Sequence, residues 1–302
     1  MDYNQSDDDI HIKKAKKMHL QIKNLSPKLS ELARHSKYVQ ANYNKWSDKD
    51  WCRKVFGESL VRLVQLTSQD SNFVGTMSLL AVSRYIFELS VWLNLFNKDV
   101  RFGLVYYQQL LNTQHLYYKD TIEQMKREIE LLKEFDRLDD KYSDEAIHKM
   151  VLSKDTGPDI GIPLRNAMDT VDAAAAMRFS LFLDEAKTNG YGYQAHLVET
   201  QSIPFIEEII ARIEEKIAEF PKNVSAEIIG MLPKRWEWKR MSEQVGLVSE
   251  YNYIYTFASK LLHATPASIT TNHQELRPEE IYIFLRYIHS KLHEIMVLEG
   301  KI

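Results

Sequence analysis

The sequence predicts an all-α protein, an irregular multi-helix bundle with long helices and no sheet. Three observations carry this. Glycine and proline number only 10 and 8 in 302 residues, too few turn-formers for a β architecture. Apolar residues recur at intervals of three and four, which gathers them on one face of a helix. No stretch alternates apolar and polar residues as a half-buried strand does, and no repeat of solenoid period occurs.

The elements follow in chain order. Residues 1–9 are acidic and polar and read as a disordered tail, neither a signal nor a transit peptide. Residues 10–46 read as an N-terminal helical extension, with Ala15, Met18, Ile22, Leu25, Leu29 and Leu32 on one face and Lys13, Lys14, Lys16 and Lys17 on a solvated one. Residues 47–302 read as a single all-α domain with a linker near 136–163. Ser47 with Asp50 is a capping pattern for the next helix. A helix over about 73–96 is apolar nearly all round and belongs at the centre of the bundle. A long helix over about 101–137 carries Leu111, Tyr118, Ile122, Met125, Ile129 and Leu132 at heptad-like spacing, a seam for bundle packing or for a homodimer. The tyrosines 106, 107, 117 and 118 read as packing groups. Ala173–Ala176 permits close helix approach, Asn189-Gly190 ends that helix, and Pro278 opens the last one, over about 278–298.

Composition limits the function. Hydrophobic residues make up 44% and charged residues 27%, as in a soluble globular chain. A net charge of −3 supplies no global field for nucleic acid, so any such contact must be local. The single cysteine, Cys52, excludes an internal disulfide and a cysteine-based zinc site, and suits a reducing compartment, the cytoplasm. The most apolar stretch, 78–96, is broken by Arg84 and Glu88, whereas a membrane span needs about 20 predominantly apolar residues. No membrane partner is expected. Phosphate-binding glycine loops, serine-nucleophile elbows and H-E-x-x-H are absent. His289 and His293 stand four apart on the last helix without a third ligand signal, so neither a metal nor another cofactor is expected.

Two patterns carry chemistry. Tyr251, Tyr255, Ser259 and His263 recur at intervals of four on a helix otherwise apolar, and Arg84 with Glu88 forms a second polar pair in an apolar helix. Such groups need partners. They predict either a hydrogen-bond network that sets helix register, or a site with His263 as general acid or base and Arg84 stabilising an anion. Lys234, Arg235, Trp236, Trp238, Lys239 and Arg240 interleave basic and aromatic residues, as a phosphate-gripping, base-stacking patch would. Alternatively, the tryptophans anchor a helix and the charges are solvated.

Arg84-Tyr85-Ile86-Phe87-Glu88, then Trp238, then Tyr251-x3-Tyr255-x3-Ser259-x3-His263, resemble in this order a bacterial helical family, domain of unknown function 5677. The resemblance covers roughly residues 59–298. It implies an all-α fold in which arginine, glutamate, serine and histidine meet, and no established reaction. A looser similarity is to HEPN-type helical bundles, many of them metal-independent ribonucleases of phage-defence or toxin systems. Their R-x(4–6)-H mark fits Arg286-x6-His293 in spacing, but chance alone supplies such a match among ten histidines, and Tyr287 follows the arginine. The similarity implies RNA as partner. His263 would take a ribose 2′-hydroxyl proton, Arg84 would steady the phosphate, Glu88 would orient one of them, and Ser259 and Tyr255 would complete the hydrogen bonds. The alternative is a non-catalytic interaction or sensing module.

Overall fold

The computed structural model describes residues 5–39, 43–68, 75–153, 161–263 and 275–302. Every regular element among them is helical. In chain order these are α1 Gln5–Lys23, α2 Ser26–Val39, α3 Asp48–Ser68, α4 Thr76–Lys98, α5 Phe102–Ser153, α6 Ile162–Ala176, α7 Leu183–Asn189, α8 Tyr191–Leu197, α9 Ile203–Asn223, α10 Ala226–Met231, α11 Trp238–Gln244, α12 Val248–Glu250, α13 Thr256–Leu262 and α14 Pro278–Val297. Single π turns, Val198–Ser202 and Tyr251–Tyr255, join α8 to α9 and α12 to α13.

Three boundaries depart from the expectation. Helix starts at Gln5, so residues 5–9 are helical rather than a disordered tail. The 10–46 segment is no extension, since α1 packs along α14 and α2 along α3. The linker expected from 136 is helix up to Ser153. Phe135, Leu138, Tyr142 and Ala146 prolong the apolar stripe of α5, and no glycine or proline interrupts it before Gly157. Residues 154–160 lie outside the described residues.

The chain forms two compact units rather than one domain with a linker. Unit 1 comprises residues 1–108 and 223–302, and unit 2 is the stretch 109–222 set between them. At the heart of unit 1 lies α4, where Leu79, Leu80, Phe87, Val91, Leu93 and Leu95 are wholly buried. Burial of one such side chain contributes about 1.5–3 kcal/mol. Its neighbours are α3, α11, the Tyr251–Tyr255 π turn, α13 and α14. By length and mean hydropathy α4 could cross a membrane, but 61% of that apolar window is buried in protein, as in a core helix. Ser47 caps α3 as expected, its Oγ accepting from the Asp50 N–H at 3.2 Å. Asp50 reaches back to the Asn44 N–H at 2.9 Å, not to Ser47. Cys52 is buried, its Sγ donates to the Val100 carbonyl at 3.3 Å, and burial pushes the thiol up to about 12. It is packing, not chemistry.

Unit 2 packs Ile122, Met125, Ile129, Leu132 and Phe135 of α5 against Val171 and Ala175 of α6, Tyr191 of α8, and Ile206 and Ile210 of α9. The heptad-like seam offered for a second copy is thus filled from the same chain. Of the four alanines only Ala175 is buried. Glu128 is buried there, accepting from Ser180 Oγ at 2.6 Å and the Leu181 N–H at 3.0 Å. Gly190, at φ 89°, ends α7 in the left-handed region, where a side chain would be strained.

Candidate functional site

Arg84 sits on α4 with Glu88 one turn on. Its Nε donates to Glu88 Oε1 at 3.0 Å, and its Nη2 donates to the Tyr255 hydroxyl at 3.1 Å. The guanidinium carbon lies 4.6 Å from the Tyr255 ring centre, close enough for cation–π attraction. Tyr251 stacks on Tyr255 at 4.9 Å, and Phe87 packs on both rings. Arg84 and Glu88 are 28% and 27% exposed. This leaves the pair neither sealed nor open.

The π turn determines how the stripe lies. The Thr256 N–H bonds back five residues to the Tyr251 carbonyl, and Thr256 Oγ1 reaches the same oxygen at 3.2 Å. One extra residue per turn breaks the spacing of four into two sections. Tyr251 and Tyr255 meet α4. The Ser259 hydroxyl, a turn further on, is buried and without a hydrogen-bond partner among the described residues. His263 is exposed beyond the end of α13, with extended backbone and its N–H on the Ser259 carbonyl at 3.2 Å. It follows Tyr255 by eight residues, about 12 Å along a helix axis. Arg84, Glu88 and Tyr255 therefore form one contact group.

Burial raises the Glu88 carboxyl above its ordinary range despite the Arg84 charge, and burial likewise raises the Tyr255 hydroxyl. Arg84→Ala leaves Glu88 without its cation and is expected to cost about 2 kcal/mol at neutral pH. Because a raised carboxyl penalises the folded state only while ionised, this loss should shrink as pH falls through the folded-state value. Glu88→Gln, which keeps an acceptor for Arg84, should change stability by less than about 1 kcal/mol. Urea denaturation across pH measures both, and a pH-independent Arg84→Ala loss would contradict the assignment.

A third polar group was not foreseen. Lys291 of α14 is buried, with Nζ 2.7 Å from Glu250 Oε1 and 2.6 Å from Glu294 Oε2. The Tyr287 hydroxyl donates to Glu250 Oε2 at 3.1 Å. Burial first, then the Glu250 charge, holds that hydroxyl well above its ordinary range, so it remains a donor. The π turn is therefore gripped on one side by Arg84 and secured at its entrance by Lys291 and Tyr287. The signal was present in the sequence: Lys291 stands on the apolar stripe Phe284, Ile288, Leu292, Ile295, where a lysine must find a carboxylate.

The basic-aromatic patch divides. Trp236 stacks on Trp92 with centroids 3.9 Å apart, and Trp238 meets Trp236 edge-on at 5.6 Å. The tryptophans are anchors. Lys234, Arg235 and Arg240 instead line a cleft of about 660 Å³, bounded by residues 98–105 and 230–244. Lys239 is exposed on a different face of α11 and does not line it. Lys98 and Arg101 also line the cleft, making five cations against two carboxylates, Asp99 and Glu237. Lys98 donates to the Gln244 carbonyl at 2.7 Å. Arg101 is held by Asp99 at 2.7 Å and Glu227 at 3.0 Å. That hydrogen-bonded guanidinium keeps the Asp99 carboxyl below its ordinary range. Lys234, Arg235 and Arg240 have no ion-pair partner among the described residues.

His289 and His293 pack ring to ring at 4.6 Å, and burial holds His289 below its ordinary value. Among the described residues no group of three or more histidines, cysteines and carboxylates could hold a metal. No protein-family model matches the chain, and comparisons with curated proteins and with solved structures return no match.

Proposed function

We propose that the protein binds RNA through the cationic cleft and that the Arg84–Glu88–Tyr255 group is the scaffold holding unit 1 in register. One observation carries this reading: three cations with no ion-pair partner among the described residues, Lys234, Arg235 and Arg240, line one concavity of a chain whose net charge is −3. Unpaired cations in a cleft with low-dielectric walls focus positive potential, which attracts a polyanion. The looser similarity to HEPN bundles favours RNA among polyanions. Catalysis at the stripe has less support, because the Arg84 guanidinium is already taken up by Glu88 and Tyr255.

Fluorescence anisotropy with a labelled RNA tests the reading. The Lys234→Ala/Arg235→Ala/Arg240→Ala protein should bind at least about tenfold more weakly, and the slope of log affinity against log salt should fall by about 2, from up to three lost phosphate contacts at about 0.7 each. Equal affinity of variant and parent, or no RNA binding by the parent, overturns it. The same incubations report cleavage. Loss of RNA cleavage in His263→Ala, with cleavage by the parent, would restore the ribonuclease reading.

A further inference from the structure

The cleft is small and its aromatic neighbours are occupied, and together these facts restrict what it can hold. A volume of about 660 Å³ lies within the ordinary range for small-molecule sites, roughly 300–1,000 Å³, enough for one or two nucleotides of a single strand. A duplex is bound differently, by contacts across successive grooves spread over about 16 base pairs. Here the three cations that have no ion-pair partner among the described residues fall within residues 234–240, on one short turn and the first part of α11. One face of Trp236 is covered by Trp92 and another approach is blocked by the edge of Trp238. Neither tryptophan lines the cleft. Phe102 does line the cleft but is only 7% exposed. Base stacking, the usual means by which single-strand binders hold bases, therefore has little aromatic face to use there, and the exposed cations that line the cleft recognise phosphate. Arg101 lines the same cleft with its charge already paired to Asp99 and Glu227.

Resting on the RNA-binding reading, we infer that the cleft takes the phosphates of a single RNA strand without regard to base identity. Phosphate is the shared chemistry of a strand and of a free polyphosphate, and the two sources separate experimentally. Labelled 12-mers of uridylate and of adenylate, and a 12-base-pair duplex RNA, are titrated into the full chain at fixed salt, with inorganic tripolyphosphate as competitor. The two single strands should bind within about threefold of each other, and the duplex at least tenfold more weakly. The Lys234→Ala/Arg235→Ala/Arg240→Ala protein, checked for folding by circular dichroism, should lose at least tenfold on both strands. Tripolyphosphate should compete only at concentrations well above those of the strands. Equal or tighter duplex binding overturns the inference alone, as does a tenfold preference between the two homopolymers. Displacement by tripolyphosphate at strand-like concentrations assigns the cleft to free polyphosphate and also overturns it. Failure of both single strand and duplex to bind removes the RNA-binding reading as well.

Discussion

Gly103→Ala is expected to lower the free energy of unfolding by about 3 kcal/mol, the upper end for overpacking. Gly103 lies in the first turn of α5, buried against the start of α3. A Cβ there would overlap the Asp48 carbonyl oxygen and sit 2.9 Å from Cys52 Sγ. Backbone blocks one side and a buried thiol the other, so no flexible side chain can give way. The same close approach seats the turn at Asp99 to Phe102, one wall of the cationic cleft, so on the proposed RNA-binding reading affinity for RNA should fall with stability. Gly230→Ala is the control. Its Cβ would meet nothing within 4 Å inside α10, and alanine there should be neutral or stabilising by up to about 1 kcal/mol. Urea unfolding measures both, and equal effects of the two substitutions would refute the packing argument.

Lys291→Met should cost about 3 kcal/mol at neutral pH. The methionine fills the space but leaves Glu250 and Glu294 without the cation that lies 2.7 and 2.6 Å from them. Most of that loss is an uncompensated carboxylate rather than a missing attraction. Adding Glu250→Gln should therefore recover part of it, since the amide still accepts from the Tyr287 hydroxyl. A double variant less stable than the sum of the two single losses would show that the group acts through packing instead. Because Glu250 immediately precedes the π turn, Lys291→Met should also disturb the Tyr251–Tyr255 stack, visible in near-ultraviolet circular dichroism.

Much of the fold was legible because local periodicity and burial agree. The apolar circumference of α4 predicted its central place, and Pro278 opens the last helix where expected. Gly190 ends α7, but the helix expected to reach it unbroken from Leu164 stops at Ala176 and restarts at Leu183. The linker reading failed at Asp139-Asp140 because two adjacent acids, one half-buried and one exposed, look like a loop when the apolar stripe beside them is sparse. Two units could not be read, since α5 runs without a break from one into the other. At the site, spacing alone correctly paired Arg84 with Glu88 and drew in Tyr255. It could not foresee the π turn, which no residue type announces and which spans the two tyrosines. Nor could it tell which aromatic faces of the basic patch were already covered, because Trp92 comes from a helix some 140 positions away in the chain.

The interleaved order of unit 1 has a consequence for synthesis. Helix α4, apolar enough to enter a bilayer, emerges early, but α11, α13 and α14, which cover it, are made only after unit 2. At about 5–20 residues per second, the nearly 200 residues between α4 and the end of α14 take on the order of 10–40 s to translate. Until α11 appears, α3 is the one of these neighbours already made, and the cover of α4 is complete only at the end of that interval. The nascent chain is thus a natural client for a holding chaperone, whereas unit 2, contiguous in sequence, can close as soon as α9 has left the ribosome.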